Sequence, residues 1–192
     1  MYKFKTIKTI PKIILSCIFI FLIYCLIMYI LKLCYPIKYM ENIINANQQD
    51  KTNIDPYLIL SIIKTESGFN EKAVSGKNAK GLMQIKDETA KDVAKDNQNT
   101  TSFNYDLHDV DTNIKLGILY FDSLIKKYNG NYYLAICAYN AGMGNVDKWL
   151  NENIVSNNLS NAKDNNIPFK ETKKYLVKVV KTYKMYKILY NK

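Results

Sequence analysis

A stretch of 19 uncharged and predominantly apolar residues, Ile13 to Leu31, lies near the amino end of the chain between Lys12 and Lys32. As an α-helix its 19 residues would extend about 29 Å, close to the thickness of the hydrocarbon core of a membrane. A cleaved signal peptide is the alternative interpretation, but the stretch is longer than an ordinary signal-peptide core and no small-residue cleavage site follows it. The sequence therefore predicts an uncleaved signal anchor at residues 13–35.

The lysines on either side of this stretch predict its orientation. Four precede it and two follow it: Lys3, Lys5, Lys8 and Lys12 on one side, Lys32 and Lys38 on the other. Because positively charged flanks stay in the cytoplasm, residues 1–12 are predicted to be a cytoplasmic tail. The chain is thus expected in the cell membrane as a single-pass protein, with the remaining residues outside the cell.

The net charge of +10 is concentrated at the two ends of the chain. Residues 1–40 carry six lysines and no acid, and residues 170–192 carry eight lysines with only Glu171. Residues 41–169 carry 13 lysines and 16 acidic residues, so we predict that this part does not bind nucleic acid. All basic residues are lysines, which excludes bidentate recognition of phosphate by arginine. The basic carboxyl end is interpreted as a solvated helix face, or alternatively as a surface attracted to the anionic cell surface.

Helical patterns dominate the rest of the chain. Residues 36–52 are polar and rich in Asn and Gln, which predicts a linker between the anchor and a domain at residues 53–192. Within that domain, apolar spacing and capping residues predict six helices, and no stretch alternates as a strand would. The predicted helices cover 55–66, 87–96, 113–128, 132–139, 145–150 and 171–190, with Asp111 and Thr112 capping the third. The predicted fold class is all-α.

The cysteine and histidine residues of the predicted domain favour structural roles. Cys137 is its only cysteine, and apolar neighbours predict a small core residue rather than a catalytic thiol paired with His108. His108 lies among aspartates that are expected to cap the following helix rather than to bind a metal. We therefore predict neither a metal site nor a cofactor.

The helix predicted at 55–66 ends in a glutamate on its apolar face. Asp55 is a good N-cap for this helix. Ile62 and Ile63 precede Glu66 by four and three residues, so these side chains share one face. Neither position holds a lysine, and a carboxyl group against apolar surface has a raised pKa, as a general acid requires. The alternative is a glutamate that reaches from the helix end into water.

Four short motifs follow one another along the domain. They are Glu66-Ser67-Gly68, Gly81-Leu82-Met83-Gln84-Ile85, Ala138-Tyr139-Asn140-Ala141-Gly142, and Ile167-Pro168-Phe169-Lys170-Glu171-Thr172 with Tyr175. In this order they resemble the soluble lytic transglycosylases of bacteria, the goose-type-lysozyme-like enzymes that cleave peptidoglycan. The resemblance covers residues 53–190 and implies a lysozyme-like helical domain. It does not extend to the anchor.

The resemblance also implies a role for each matching side chain. Glu66 corresponds to the single catalytic acid and base of the family. The others correspond to positions in or beside the sugar-binding groove: Ser75, Gly81, Leu82, Met83, Gln84, Tyr139, Asn140, Glu171 and Tyr175. The glycine is expected to let the backbone approach the glycan. Without the resemblance, Gln84 and Asn140 would be interpreted as side chains that bind loop backbone groups.

The reaction of this family needs one carboxyl group, whereas ordinary glycoside hydrolysis needs two. The resemblance implies that Glu66 protonates the leaving oxygen and then deprotonates the C6 hydroxyl of the same muramic acid, which closes a 1,6-anhydro ring. Two alternatives stay open: a hydrolytic muramidase with Glu171 as second carboxylate, and a non-catalytic wall-binding module. The resemblance implies peptidoglycan strands as a partner, and the predicted anchor adds the membrane through residues 13–35. An anchored enzyme also fits secretion, conjugation or division machinery.

Overall fold

The structure is a computed structural model, and it describes residues 10–96, 106–162 and 166–190. These residues form eight α-helices and no β-strand, which confirms the predicted all-α class. The helices are α1 (Ile10–Cys34), α2 (Met40–Gln49), α3 (Pro56–Glu66), α4 (Asp87–Asp96), α5 (Val110–Lys127), α6 (Tyr132–Ala141), α7 (Met143–Asn151) and α8 (Lys170–Tyr190). The chain divides into two compact units, Met1–Pro36 with Ile188–Lys192 and Ile37–Lys187.

Helix α1 carries the uncharged stretch predicted to be a membrane anchor. Its segment Lys12–Cys34 has a mean hydropathy of 2.9, and its most apolar part has no buried residues. Apolar side chains are exposed on all sides of this helix, unlike those of an amphipathic helix that packs on a core. By length and composition α1 is able to cross a membrane. Residues 1–9, most of the predicted cytoplasmic tail, lie outside the described part of the chain.

Residues 36–52 differ from the predicted linker, because they contain helix α2, which packs on the domain. Ile43 is fully buried, and Ala46 and Asn47 lie on the same face, where α2 contacts α3 and α5. Nδ2 of Asn47 donates to the carbonyl oxygen of Ile54 at 2.9 Å, which holds the end of α2 against the chain entering α3. Polar residues on the outer face dominate the composition of this segment, so its sequence resembles that of a linker.

Helix α3 begins and ends where its sequence signals predict. The side chain of Asp55 accepts a hydrogen bond from the N–H of Tyr57 at 2.9 Å, and Pro56 occupies the first turn. The helix ends at Glu66, after which Gly68 adopts a left-handed conformation with a φ of 59°. Burial of consecutive residues around the whole helix places α3 at the centre of the domain. The buried residues are Leu58, Ile59, Leu60, Ser61, Ile62 and Ile63.

Helices α5, α6 and α7 pack on one another in succession. Helix α5 begins at Val110 and is capped by Asp109, whose Oδ2 accepts a hydrogen bond from the N–H of Thr112 at 2.9 Å. This differs from the predicted cap at Asp111 and Thr112, because the helix begins before its apolar stripe does. Gly130 turns the chain from α5 into α6 with a φ of 84°.

The carboxylate of Asp55 ties the start of α3 to the last turns of α8. Its Oδ2 accepts hydrogen bonds from the hydroxyl of Tyr183 at 2.8 Å and from Nζ of Lys187 at 2.9 Å. Burial alone would raise the pKa of Asp55, but the hydrogen bonds from Lys187, Tyr183 and the backbone together lower it below its ordinary value. One carboxylate therefore both caps α3 and holds α8 along it.

The packing of α2 predicts unequal effects for its two neighbouring isoleucines. Ile43→Ala removes a fully buried side chain and should lower the free energy of unfolding by about 2–4 kcal/mol. Ile44 is 39% exposed, so Ile44→Ala is the matched control and should lower it by less than about 1 kcal/mol. Denaturant unfolding of the full chain in detergent micelles, followed by the fluorescence of Trp149, measures both. Equal, small losses would show that α2 behaves as a linker.

Candidate active site

The carboxyl group of Glu66 lies at the carboxyl end of α3 and faces α8. The side chain is only partly exposed, and Ile62 and Ile63, one turn before it, have no exposed surface. The hydroxyl of Tyr175 on α8 donates a hydrogen bond to Oε1 of Glu66 at 2.6 Å. The carboxyl group is thus held in a defined position rather than extended into solvent.

The surroundings of Glu66 raise its pKa from an ordinary value of 4.5 to about 7. Burial is the largest cause, because it disfavours the charged form. The hydrogen bond from Tyr175 and the positive charge of Lys178 act in the opposite direction, and the negative charge of Glu171 adds a smaller increase. Both protonation states are therefore populated near neutral pH, as a group that first donates and then accepts a proton requires.

Lys178 is a neighbour of this carboxyl group that spacing along α3 does not reveal. Its Nζ donates to the carbonyl oxygen of Thr65 at 3.4 Å, next to Glu66. Lys178 and Thr65 are 113 positions apart in the chain, whereas spacing within a helix reports only on residues one turn away. On α8, Lys178 follows Tyr175 by three residues, so both reach the same end of α3.

Two tyrosines, Tyr175 and Tyr139, lie near enough to the carboxyl group of Glu66 to feel its charge. Tyr139 on α6 donates from its hydroxyl to the carbonyl oxygen of Met83 at 2.7 Å, and its ring centroid lies 5.9 Å from that of Phe121. Burial raises the pKa of Tyr139 and of Tyr175 well above the ordinary value, and the negative charge of Glu66 raises both further. Both phenols therefore stay protonated and donate hydrogen bonds at neutral pH.

A buried asparagine of α5 holds the loop of the second motif. Oδ1 of Asn113 accepts a hydrogen bond from the N–H of Met83 at 2.8 Å. Its Nδ2 donates to the carbonyl oxygens of Lys80 at 2.9 Å and Leu107 at 2.8 Å. No motif contains Asn113, although a polar residue on the apolar face of α5, four positions before Gly117, is the signal that could have found it.

Gly81, Leu82 and Met83 belong to the interior more than to a surface groove. Leu82 and Met83 have no exposed surface. Gly81 has a φ of 74°, and a Cβ at this position would clash with the side chain of Asn113 and the carbonyl oxygen of Leu107. Contacts within the protein therefore already require glycine here, and the approach of its backbone to the glycan stays a prediction.

Gln84 and Ser75 bind backbone groups of the same loop. Nε2 of Gln84 donates to the carbonyl oxygens of Gly81 at 3.0 Å and Ala73 at 3.2 Å. Oγ of Ser75 accepts a hydrogen bond from the N–H of Ala79 at 3.0 Å. These contacts match the alternative interpretation of Gln84 as a side chain that satisfies loop backbone. Both side chains are partly exposed, so a role in sugar binding stays a prediction.

Asn140 and Glu171 lie at the junction of α6 and α8. Oδ1 of Asn140 accepts a hydrogen bond from Oγ1 of Thr172 at 2.8 Å, which joins the end of α6 to the start of α8. Thr172 is buried and, although it lies in the fourth motif, no role is predicted for it from the sequence. Glu171 is exposed and acts on Glu66 through its charge. The predicted site residues whose charge or hydrogen bonding is coupled to Glu66 are Tyr139, Glu171 and Tyr175.

The residues with metal-binding or thiol chemistry lie elsewhere. Among the described residues, no group of three or more His, Cys, Asp or Glu side chains is placed to hold a metal ion. Nδ1 of His108 lies 3.3 Å from the carbonyl oxygen of Glu71. Cys137 is buried in α6, and burial raises the pKa of its thiol to about 12, so it is not a thiolate at neutral pH.

Comparison with protein families identifies the domain. The family described as Transglycosylase SLT domain matches residues 42–161 of the chain. The chain belongs to this family. The match begins inside α2, which agrees with the packing of that helix on the rest of the SLT domain. The family resemblance carried by the four motifs is thus confirmed, although the fourth, with Glu171 and Tyr175, lies beyond the matched residues.

Relatives of this SLT domain are named as lytic murein transglycosylases. The membrane-bound lytic murein transglycosylase C of Edwardsiella ictaluri is 36% identical over 170 residues, which cover 78% of this chain and 46% of that protein. A Haemophilus influenzae protein, provisionally named a soluble lytic murein transglycosylase, is 39% identical over 165 residues, 84% of this chain and 27% of its own.

A solved structure shares the fold as well as the sequence. The lytic transglycosylase Slt of Pseudomonas aeruginosa, solved as an inactive mutant with glutamine in place of one glutamate, has a TM-score of 0.70 and 28% identity. The similarity covers 84% of this chain and 26% of that one, and it confirms the lysozyme-like fold. The chain thus spans between about a quarter and just under half of the length of these relatives.

The raised pKa of Glu66 predicts a pH-dependent loss of stability. The folded state holds the proton more tightly than the unfolded state, so the loss is absent below pH 4.5, grows as the pH rises, and is complete above about pH 7. Glu66→Gln should therefore raise the free energy of unfolding above that pH by on the order of 3 kcal/mol. Denaturant unfolding of both proteins from about pH 4 to about pH 8 measures this difference.

Asp55→Asn provides the opposite case for the same measurement. The pKa of Asp55 is lowered by folding, so its carboxylate stabilises the fold above its ordinary pKa of 3.8 and loses this effect as the pH falls. Asp55→Asn should be destabilised near neutral pH and should approach the wild type in acid. A gain for Glu66→Gln that stays constant with pH would contradict a retained proton on Glu66.

Tyr175 and Lys178 both favour the anion of Glu66, so removal of either should raise its pKa further. Tyr175→Phe should have the larger effect, because its hydrogen bond lowers the pKa more than the charge of Lys178 does. Lys181→Met removes an exposed lysine further along α8 and serves as the control for Lys178→Met. NMR titration of isotope-labelled glutamate side chains measures the pKa. An unchanged value in both variants would show that α8 has no part in the electrostatics of the site.

Proposed function

We propose that this protein is a membrane-anchored lytic transglycosylase that cleaves the β-1,4 bond between N-acetylmuramic acid and N-acetylglucosamine in peptidoglycan. The observation that carries the proposal is Glu66, which retains a proton near neutral pH and is held by Tyr175. Membership of the SLT domain family and the names of the relatives support the substrate class. The inactive Pseudomonas aeruginosa mutant, with one glutamate replaced by glutamine, supports dependence on a single glutamate.

Glu66 acts first as an acid. Its proton passes to the oxygen that links the two sugars, the bond from C1 to that oxygen breaks, and the departing sugar leaves with a free hydroxyl group. Positive charge develops at C1 and is shared with the ring oxygen. The carboxylate that remains on Glu66 is stabilised by the hydrogen bond from Tyr175 and by the charge of Lys178.

Glu66 then acts as a base toward the same muramic acid. Its carboxylate removes the proton of the C6 hydroxyl, the C6 oxygen bonds to C1, and a 1,6-anhydro ring closes. No water is consumed, and the carboxyl group regains its proton for the next bond. Because the nucleophile belongs to the substrate, its high effective concentration replaces the second carboxylate that would otherwise position a water molecule.

A hydrolytic muramidase on the same fold is the second candidate, and Glu171 is the observation that favours it. The charge of Glu171 acts on Glu66, and ordinary hydrolysis uses two carboxyl groups. Glu171 is exposed, however, and within the described part of the chain no hydrogen bond holds its carboxylate in place. We therefore favour the transglycosylase reaction.

The proposed location is the outer side of the cell membrane, facing the wall. Helix α1 has the length and composition to span a bilayer, and the lysines around it favour a cytoplasmic amino end. The Edwardsiella ictaluri relative is named a membrane-bound enzyme. An anchored enzyme cuts strands close to the membrane, which suits local opening of the wall for secretion, conjugation or division machinery.

Digestion of purified sacculi by the full-length protein tests the reaction. Glu66→Gln should lower turnover by about a hundredfold to ten-thousandfold, because the general acid is lost. Glu88→Gln, which changes an exposed carboxyl group on α4, should leave turnover unchanged and serves as the control. Mass spectrometry of the wild-type products should show fragments lighter by one water than hydrolysis products, since ring closure adds no water.

The other outcomes of this digestion select among the alternatives. Products with reducing ends, together with loss of activity in Glu171→Gln, would establish a muramidase. Wild-type protein that binds sacculi without cutting them would establish a binding module. Undiminished turnover in Glu66→Gln would remove Glu66 as the acid and overturn the proposal.

A further inference from the structure

The outward face of α8 carries exposed lysines that form no ion pair with the carboxylates of the described residues. Within the described part of the chain, none of five such lysines lies in ion-pair contact with Asp or Glu: Lys170, Lys174, Lys178, Lys181 and Lys184. Among the other described lysines, ion pairs with a carboxylate are formed by Lys80, Lys115, Lys126, Lys127 and Lys148, and by Lys187 near the end of α8. Positive charge on this face of α8 is therefore available to an external anion.

Four of these residues, Lys170, Lys174, Lys178 and Lys181, form what we call the lysine face. With Val177 and the partly exposed Lys173 they form one open side of this single helix. The surface is mostly aliphatic, because lysine side chains lie along their methylene groups while their charged ends remain in water. A partner that fits this surface carries several negative charges on a partly aliphatic chain.

The lysine face adjoins the candidate active site on the same helix. Lys174 directly precedes Tyr175, whose hydroxyl binds Glu66. Lys178, one turn further on, reaches the carbonyl oxygen of Thr65 beside that carboxyl group. An anion held at the Lys178 edge of this face is therefore close to Glu66, as an acidic part of the substrate itself would be.

We propose that the lysine face binds the carboxylates of the peptide stems carried by the glycan strand that is cut. The inference rests on the proposed function, because the stem is attached to the muramic acid that reacts. Peptide stems combine short aliphatic side chains with free carboxylates, which matches an aliphatic helix surface bordered by ammonium groups. Flexible lysine charges suit mobile carboxylates, whereas phosphate recognition favours the planar fork of arginine, which the chain lacks.

The test uses the full-length Glu66→Gln variant in nanodiscs of neutral phosphatidylcholine, so that binding is measured without cleavage. The ligands are soluble muropeptide fragments with free stem carboxylates, and the same fragments with these carboxylates amidated. Joint replacement of Lys170, Lys174 and Lys181 by glutamine should weaken binding of the free-carboxylate fragments about tenfold, since each exposed charge contributes a modest share. Lys178 is kept because it also acts on Glu66. Amidated fragments should bind both proteins weakly and equally.

A second triple variant of equal charge separates the lysine face from general electrostatics. Lys91, Lys95 and Lys126 are exposed on α4 and α5, and their joint replacement by glutamine should leave binding unchanged. The inference would be overturned if amidation of the fragments did not change their binding, or if both triple variants lost the same amount of binding affinity. The nanodiscs are also tested for co-flotation with phosphatidylglycerol vesicles. If co-flotation depends on the lysine face while fragment binding does not, the face binds anionic lipid and the inference is overturned.

Product analysis of the wild-type protein keeps the two proposals separate. Anhydro products together with fragment binding that does not depend on the lysine face would retain the transglycosylase and reject only the stem site. Fragment binding that depends on the lysine face, without any wall cleavage by the wild-type protein, would support the stem site and reject the reaction.

Discussion

The hydrogen bond from Tyr175 to Glu66 joins the central helix of the domain to its last helix, and the proposed chemistry depends on this contact. Burial at the end of α3 would by itself keep the carboxyl group of Glu66 protonated at neutral pH. Tyr175 and Lys178, both on α8, restore part of the stability of the anion. The pKa of about 7 is the balance of these opposing effects, and a carboxyl group in this balance can release and recover a proton within one turnover.

The position of α8 on α3 also depends on contacts away from the carboxyl group. Asp55 at the start of α3 binds Tyr183 and Lys187 on the later turns of α8, so hydrogen bonds join the two antiparallel helices at both ends. On the other side of the site, Tyr139 joins α6 to the loop of the second motif, and Asn113 joins that loop to α5. Several predicted groove residues therefore also support the framework that places Glu66.

The sequence predicts features that depend on neighbouring residues and misses those that depend on packing. Helix α3 follows from Asp55, Gly68 and apolar spacing, because capping and periodicity are local properties. Helix α2 is not predicted by its local sequence, because its apolar residues Ile43 and Ala46 are a minority among polar ones. Packing on α5 is what stabilises this helix. Gly81 is recognised as part of a motif, yet its physical reason, the close approach of α5, is visible only in three dimensions.

By itself, the sequence determines that one amino-terminal segment has the length and apolarity of a membrane span, that the domain is helical, and that Glu66 ends a helix on its apolar face. The tertiary structure alone decides which groups surround that carboxyl group. Tyr175 lies 109 residues further along the chain, and no local pattern connects it or Lys178 to α3. The reason is that the pKa of a group depends on all the groups near it. The distances from Glu66 to those groups are set only when the helices pack together.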